Sequence, residues 1–206
     1  MKRALPSLLL LLSLAACQSQ PKPGDVLYVD DFDQSDSGWN RQSDADAATD
    51  YADGEYQIEV ATPNLNVWSV AGPQLTDVII DVTARAAAGP DNNLFGLICR
   101  YQDDLNFYFL VISADSYYGI GKYKDGQSTL LNSNVYEYSD KILPGPATHH
   151  ITAACIGNTL TLAVNGTQLA QTTDIDFKTG KLGLIAGSFG EPDVDVHFEN
   201  LIATQP

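Results

Sequence analysis

The sequence predicts an all-β protein in which two antiparallel sheets pack as a sandwich, and three observations support this fold class. Apolar and polar residues alternate with a period of two in segments 78–85, 159–164 and 193–199, which is typical of strands with one buried face. The pairs Asp53-Gly54 and Asn165-Gly166, which favour tight hairpins, separate segments of this kind. Beyond residue 25 the pattern indicates no amphipathic helix longer than a turn or two, so we expect about twelve short strands.

The N-terminal residues have the pattern of a secretory signal peptide. Lys2 and Arg3 precede a short apolar run over 5–12, and small residues lead up to Cys17. The run is too short to span a bilayer as a helix of the mature protein. The Leu-Ala-Ala-Cys ending resembles a bacterial lipoprotein signal, which implies cleavage before Cys17 and lipid on its sulfur. An ordinary signal peptide with a coincidental cysteine is the alternative.

This pattern divides the chain into three parts. We expect a signal peptide over residues 1–16, a lipidated cysteine with a flexible, Pro-containing tether over 17–25, and one β-sandwich domain over 26–206. Such a protein would be exported and lipid-anchored to the bacterial cell envelope, at the outer membrane or cell surface.

The charge balance excludes some partners. The chain has 26 acidic and 11 basic residues, a formal net charge of −15, and cleavage of the signal would remove two of the basic ones. Nucleic acid and anionic membrane surfaces should repel such a chain, so we expect no nucleic-acid partner and membrane attachment only through lipid on Cys17. A surface of this acidity is also common in soluble exported proteins.

Two features concern the interior of the sandwich. Segment 107–112 is apolar on both sides, which predicts a central strand covered on both faces. Cys99 and Cys155 remain once Cys17 carries lipid, and such a pair in an exported protein is typical of a disulfide. The alternative is two small buried side chains that never meet. Zinc binding lacks a third cysteine or suitably spaced histidines.

Several short motifs follow one another in a characteristic order. They occupy residues 30–32, 37–39, 51–58, 89–93, 95–103, 106–109, 117–118, 162–166, 180–184 and 196–201. Over about residues 26–204, this order resembles the concanavalin A-like (laminin G-like) jelly-roll domain of bacterial surface proteins. It is also similar in architecture to the bacterial 3-keto-disaccharide hydrolase domain.

The resemblance implies two antiparallel sheets, one of them curved, with the ligand of glycan-binding members on the concave face. This fold hosts lectins, adhesion modules and glycosidases, so it does not by itself select a function.

The sequence contains no intact catalytic motif. Glycosidases need two carboxylates beside the scissile bond. Laminarinase-type relatives carry Glu-x-Asp-x-x-Glu on one strand, but in the nearest match, residues 191–196, Val196 replaces the second Glu. A Gly-x-Ser-x-Gly nucleophile motif is also missing. His149 and His150 should point to opposite faces of one strand, and His197 should face solvent. We therefore predict no catalytic residues.

The aromatic residues favour ligand binding instead. The chain has ten Tyr, seven Phe and two Trp, and sugar rings stack on flat aromatic faces. Arg100 follows Cys99 in a predicted strand and should point away from the face that Cys99 shares with Tyr101. The candidate ligand-binding residues are Arg100, Tyr101, Asp103, Asp104, Asn106, Tyr108, Tyr117, Tyr118 and Lys122, with Tyr123 beside them. The alternative is that the tyrosines fill a sandwich edge and that Arg100 pairs with an internal acid.

A structural Ca²⁺ is the one cofactor that the acidic residues suggest, and no cofactor is required. Members of the resembled family often hold one calcium ion, and calcium takes six to eight oxygen ligands. If the terminal strands pair, oxygens could come from Asp30, Asp31, Asp33 and Asp36 near the start and from Glu199 and Asn200 near the end. The spacing does not fit an EF-hand loop.

The sequence thus predicts a cell-surface lipoprotein with a non-catalytic jelly-roll domain that binds a glycan or another envelope component. Its role would be adhesion, polysaccharide capture or envelope scaffolding. A hydrolase of the 3-keto-disaccharide type is the alternative, and a purely structural envelope protein is a third class. The faces on which Arg100, Tyr108 and Lys122 lie distinguish them: all three on the concave face would favour a ligand site, and scatter would favour a structural role.

Overall fold

The computed structural model describes residues 21–206, and these contain sixteen β-strands in two antiparallel sheets. The predicted signal peptide and Cys17 lie outside the described residues. The strands are β1 (Val26–Asp30), β2 (Gln42–Ser43), β3 (Ala47–Ala52), β4 (Glu55–Val60), β5 (Asn66–Leu75), β6 (Val78–Ala88), β7 (Asn93–Asp103), β8 (Asn106–Ile112), β9 (Tyr117–Lys124), β10 (Gln127–Leu130), β11 (Glu137–Tyr138), β12 (His149–Ile156), β13 (Thr159–Val164), β14 (Thr167–Thr173), β15 (Gly180–Ser188) and β16 (Val194–Thr204).

One sheet has nine strands and the other has seven. The nine-stranded sheet runs β14-β13-β12-β6-β16-β4-β3-β2, with β1 beside β16. The seven-stranded sheet runs β10-β9-β8-β7-β15-β5, with β11 beside β9. The prediction of a two-sheet sandwich is confirmed. The larger number of strands comes partly from the two-residue strands β2 and β11, which are too short to show alternation.

The strands follow the patterns that predicted them. Burial alternates residue by residue along β6, β12 and β13, as expected for strands with one face in the core. Asp53-Gly54 joins β3 to β4, and Asn165-Gly166 joins β13 to β14, each with both residues at positive φ. The apolar strand β8 lies between β7 and β9 and is covered on both faces, as predicted.

The main core lies between the two sheets. Aromatic rings close one end of it, where Phe32, Trp39 and Tyr56 pack against one another with ring centroids 5.4 to 5.7 Å apart. Cys99 of β7 and Cys155 of β12 form a disulfide that joins the sheets across this core. The predicted disulfide is therefore confirmed. No helix that could span a membrane occurs in residues 21–206.

Candidate functional site

The candidate site is the outer face of the seven-stranded sheet, which points away from the nine-stranded sheet. This face carries its own apolar cluster, separate from the main core. Six side chains form its floor and are at most 3% exposed: Leu94, Ile98, Phe107, Phe109, Val111 and Ile185. Larger side chains, mostly aromatic, cover this floor: Trp68, Tyr101, Tyr123, Leu130, Tyr136 and Phe189.

Contacts between distant strands show that this face is concave. Trp68 of β5 lies 5.6 Å, centroid to centroid, from Tyr123 of β9, although β15, β7 and β8 run between them. In a flat sheet, four strand spacings of about 4.8 Å would separate β5 and β9 by about 19 Å. The Asn66 side-chain amide also donates to the Tyr123 hydroxyl over 2.8 Å. The sheet must therefore curve towards this side.

Glycines on the same face give the aromatic rings their space. A Cβ on Gly121 would overlap the Phe109 ring and lie 2.8 Å from the Thr129 carbonyl oxygen. A Cβ on Gly187 would overlap the side-chain oxygen of Asn66. Larger residues at these positions would lift the covering side chains away from the floor.

Asp104 closes the end of the concave face at the β7–β8 turn. It accepts hydrogen bonds from the Trp68 indole nitrogen at 3.1 Å and from the Tyr101 hydroxyl at 2.6 Å. Burial and the bond to Asp104 raise the pKa of Tyr101 well above its usual value. The carboxylate of Asp104 thus fixes the side chains of Trp68 and Tyr101.

An open cavity of about 410 Å³ lies at the other end of the concave face. We call it the tyrosine cavity. Its floor includes Leu94 and Val111, and Tyr136 and Phe189 meet edge to face beside it with ring centroids 5.8 Å apart. Tyr117 lines the cavity and is 41% exposed, with Tyr138 (64% exposed) packed against it. Exposed aromatic side chains beside a cavity are suited to stacking on a ligand.

The tyrosine cavity also offers free polar groups. Within residues 21–206, the hydroxyls of Tyr117 and Tyr136 have no hydrogen-bond partner. Burial raises the pKa of Tyr136 to about 12. Ser113 and Asp115, by contrast, are bonded to each other, and Asn93 is bonded to Pro90 and Ala114. Together with the side-chain amide of Asn92, which also lines the cavity, the two tyrosine hydroxyls are therefore the groups best placed to bond a ligand.

A second cavity, of about 450 Å³, lies along the free edge of β5. It is more polar and more acidic than the tyrosine cavity. Its lining includes Asn40, Gln42, Asp44, Asp46, Asn66, Trp68 and Asp104. Its three carboxylates already accept hydrogen bonds within the protein. Asp44 accepts from the backbone amides of Asp46 and Ala47, and Asp46 accepts from the Thr62 hydroxyl. Asp104 accepts from Trp68 and Tyr101.

The sequence-predicted ligand residues fall into separate groups. Tyr101, Asp104 and Tyr117 belong to the concave face. Asp103 and Asn106 bond each other in the β7–β8 turn. The side chain of Tyr118 packs against the main core instead.

Tyr108 and Lys122 lie on the opposite, inner face of the sheet. The Tyr108 hydroxyl donates to Asp174 over 2.6 Å and accepts from the Phe177 backbone amide over 3.0 Å. The Lys122 ammonium bonds Asp174 and Asp176. Both side chains therefore fasten the connection between β14 and β15, and neither faces the concave surface.

The prediction for the orientation of Arg100 was wrong. Arg100 has a φ of 53° and lies in a β-bulge, because the β7–β8 register shifts between Cys99 and Asp103. Cys99 and Arg100 therefore both point inward, and Tyr101 points to the concave face. The Arg100 guanidinium donates to the carbonyls of Thr76, Phe177 and Cys155 and to Asp77. Its side chain is 1% exposed, so a ligand on the surface cannot reach it. Arg100, Tyr108 and Lys122 thus all point away from the concave face, and these three residues do not favour a ligand site there.

Several residues of the concave face were missed as ligand candidates. Period-two alternation places Asn66, Trp68 and Val70 on the same face of β5. It does not say whether that face points to the core of the sandwich or away from it. Tyr136 and Phe189 lie outside the regular strands, where alternation gives no orientation. Their aromatic character was the only available signal.

Two of the candidate calcium ligands, Asp30 and Asp31, already have hydrogen-bond partners within the protein. β1 does pair with β16, as the hypothesis requires. Asp30, however, accepts hydrogen bonds from the Trp39 indole and the Phe32 amide, and Asp31 accepts one from the Asp33 amide. Residues 21–206 contain no group of three or more His, Cys, Asp or Glu arranged to hold a metal ion.

Charged groups do converge on the outer face of the nine-stranded sheet. His197 lies between Glu55 and Asp195, and Arg85 bonds Glu55 over 2.8 Å. The predicted solvent-facing side chain of His197 is on the outer face but only 17% exposed. Burial alone would raise the pKa of Glu55, but hydrogen bonds from Glu199, His197 and Arg85 lower it to about 2. The same bond to Glu55 raises the pKa of Glu199.

Comparison with known proteins defines the fold. No protein-family model and no curated protein sequence matches this chain. Among solved structures, it is similar to the carbohydrate-binding module CBM66 from Bacillus subtilis, with a TM-score of 0.66 and 14% identity over 82% of this chain and 96% of that one. This chain adopts the concanavalin A-like, galectin-like jelly-roll fold.

Two further structures support this assignment. A protein of unknown function with a galectin-like fold from Bacillus subtilis has a TM-score of 0.64 and 11% identity, over 90% of this chain and 98% of that one. A β-glucanase from Bacillus licheniformis has a TM-score of 0.61 and 13% identity, over 91% of this chain and all of that one. At these identities the likeness shows the fold alone, and the site must be argued from its own residues.

Proposed function

We propose that this protein binds a glycan in the tyrosine cavity and leaves it intact. The observation that carries the proposal is the combination of exposed aromatic rings with unpaired tyrosine hydroxyls beside one open cavity on the concave face. Rings stack on the faces of sugars, and hydroxyls in a largely apolar pocket fix their orientation. The likeness in fold to a carbohydrate-binding module is consistent with this role.

Binding can be tested with the purified protein on a glycan array, with and without calcium. Tyr117→Ala removes a stacking ring, and Tyr136→Phe removes only a hydroxyl. We expect the first to abolish retention and the second to weaken it about fivefold to tenfold, since a lost neutral hydrogen bond is worth about 1 kcal/mol. Tyr28→Phe, the same chemical change on the nine-stranded sheet, is the matched control. Unchanged binding by Tyr117→Ala would refute the assignment of the cavity.

Hydrolysis is a second candidate function, and one observation favours it. Glu55 and Glu199 have pKa values shifted in opposite directions and share their surroundings with His197. Such a pair is a common arrangement for an acid and a base. The pair lies on the nine-stranded sheet, away from the tyrosine cavity. Chromatography of the bound glycan after incubation separates the two functions: breakdown that is lost in Glu199→Gln would identify a hydrolase.

We further propose that the protein acts at the bacterial cell surface through lipid on Cys17. The signal-like N-terminal sequence and the Pro-containing tether support this location. Metabolic labelling with a fatty acid, followed by fractionation, tests it. We expect label and membrane association in the natural chain and neither in Cys17→Ser.

A further inference from the structure

We propose that the tyrosine cavity takes the end of a neutral glycan chain and not an internal segment of it. This inference rests on the proposed glycan-binding function and specifies its ligand. Three features of the concave face carry it: a filled middle, a cavity with walls on both sides, and a lining without cations.

The middle of the concave face has no open floor on which a polysaccharide could lie. Phe107 and Tyr123 stack with ring centroids 4.8 Å apart, and Trp68 packs against both at 5.1 and 5.6 Å. The hydrogen bond from Asn66 to Tyr123 ties together side chains from β5 and β9. A glycan following the floor of the sheet would have to displace these rings from their contacts with one another.

The tyrosine cavity is bounded on both sides. Towards the middle of the face, the contact between Tyr136 and Phe189 forms one wall. On the opposite side, Asn93 joins two turns, because its amide donates to the Pro90 carbonyl over 2.8 Å and its oxygen accepts from the Ala114 amide over 3.1 Å. A cavity of about 410 Å³ is near the lower end of the range for small-molecule sites. It therefore suits a terminal unit or a short oligosaccharide.

The charge of the lining selects a neutral ligand. The residues that line the tyrosine cavity include one carboxylate, Asp115, and no Lys, Arg or His. Lys122 and Lys124, on the neighbouring strand β9, are both paired with Asp176. An anionic sugar would meet no compensating charge here, and the net charge of −15 would repel it.

Polysaccharides with matched chemistry and different numbers of ends test the inference. The competitors in solution would be inulin, laminarin, dextran, mannan and xylan, each used intact and after partial hydrolysis. Polygalacturonate would be the anionic polymer for comparison. For every polymer that binds, we expect affinity per gram to rise about tenfold when hydrolysis raises the number of ends about tenfold, because only ends occupy the site. We expect no binding of polygalacturonate.

Each outcome has a distinct meaning. Equal affinity per gram for intact and hydrolysed polymer would overturn end recognition and leave glycan binding in place. Binding of polygalacturonate would overturn the charge argument. Failure of every polymer and hydrolysate to bind would refute the proposed function, and the inference with it. The variant Phe189→Ala opens the wall that lies towards the middle of the concave face. We expect its affinity per gram to depend less on the number of chain ends. The comparison of intact and hydrolysed polymer in the natural protein stands even if this variant does not fold.

Discussion

Replacing Arg100 by methionine should destabilise the protein strongly without touching the tyrosine cavity. The guanidinium donates to three backbone carbonyls, at 3.1 Å to Thr76, 3.0 Å to Phe177 and 3.2 Å to Cys155, and its side chain is 1% exposed. Methionine fills similar volume but cannot donate any of these three hydrogen bonds. At about 1 kcal/mol for each lost bond, the free energy of unfolding should fall by about 3 kcal/mol. The partly exposed pair with Asp77 adds little to this figure.

Urea denaturation followed by tryptophan fluorescence measures this loss. With a slope of about 2 kcal/mol per molar urea, the midpoint should fall by about 1.5 M. Arg41→Met is the matched control, because Arg41 pairs with Asp50 at an exposed site, and its midpoint should not move. An unchanged midpoint in Arg100→Met together with lost glycan binding would refute the structural role and restore Arg100 as a ligand residue.

Two further predictions concern packing and pH. Gly121→Ala should cost about 1–3 kcal/mol, since its Cβ would overlap the Phe109 ring, whereas Gly190→Ala, with no atom within 4 Å of its Cβ, should unfold at the same urea concentration as the natural protein. The pKa of Glu55 is lowered from 4.5 to about 2 in the folded protein, so its contribution to stability is present above pH 4.5 and is lost as the pH falls towards 2. When the pH is lowered from 5.5 to 2.5, the urea midpoint of Glu55→Gln should therefore fall less than that of the natural protein. An equal fall in the two proteins would contradict this.

The fold could be predicted because its evidence is local and repeated. Alternation along β6, β12 and β13 assigns one face of each strand to the core, and Asn165-Gly166 fixes the hairpin between β13 and β14. These signals do not depend on how the sheets pack. The disulfide between Cys99 and Cys155 was predictable from the signal-like N-terminal sequence and from the two cysteines that remain once Cys17 is set aside, although its position across the core was not.

The site was less predictable, because orientation within a strand depends on an unbroken register. One bulge at Arg100 reverses the face of each following residue, so Tyr101 points to the concave face and the guanidinium points inward. Tyr108 and Phe109 are both buried, and composition cannot say which one faces the other sheet. The partners of Tyr108 and Lys122, Asp174 and its neighbours, are more than fifty residues away in the chain.

Burial distinguishes structural aromatic residues from candidate ligand-binding ones in this protein more clearly than residue type does. Tyr108 and Tyr117 are both tyrosines in the seven-stranded sheet, but Tyr108 is fully buried and bonded to Asp174, while Tyr117 is 41% exposed and has no hydroxyl partner within residues 21–206. Loss of the Tyr108 ring should lower stability through the connection between β14 and β15, whereas loss of the Tyr117 ring should lower only binding. A comparison of Tyr108→Ala and Tyr117→Ala in unfolding and in glycan retention thus assigns structure to the inner face of the sheet and function to its concave face. If both variants lost binding in proportion to their loss of stability, the distinction would fail.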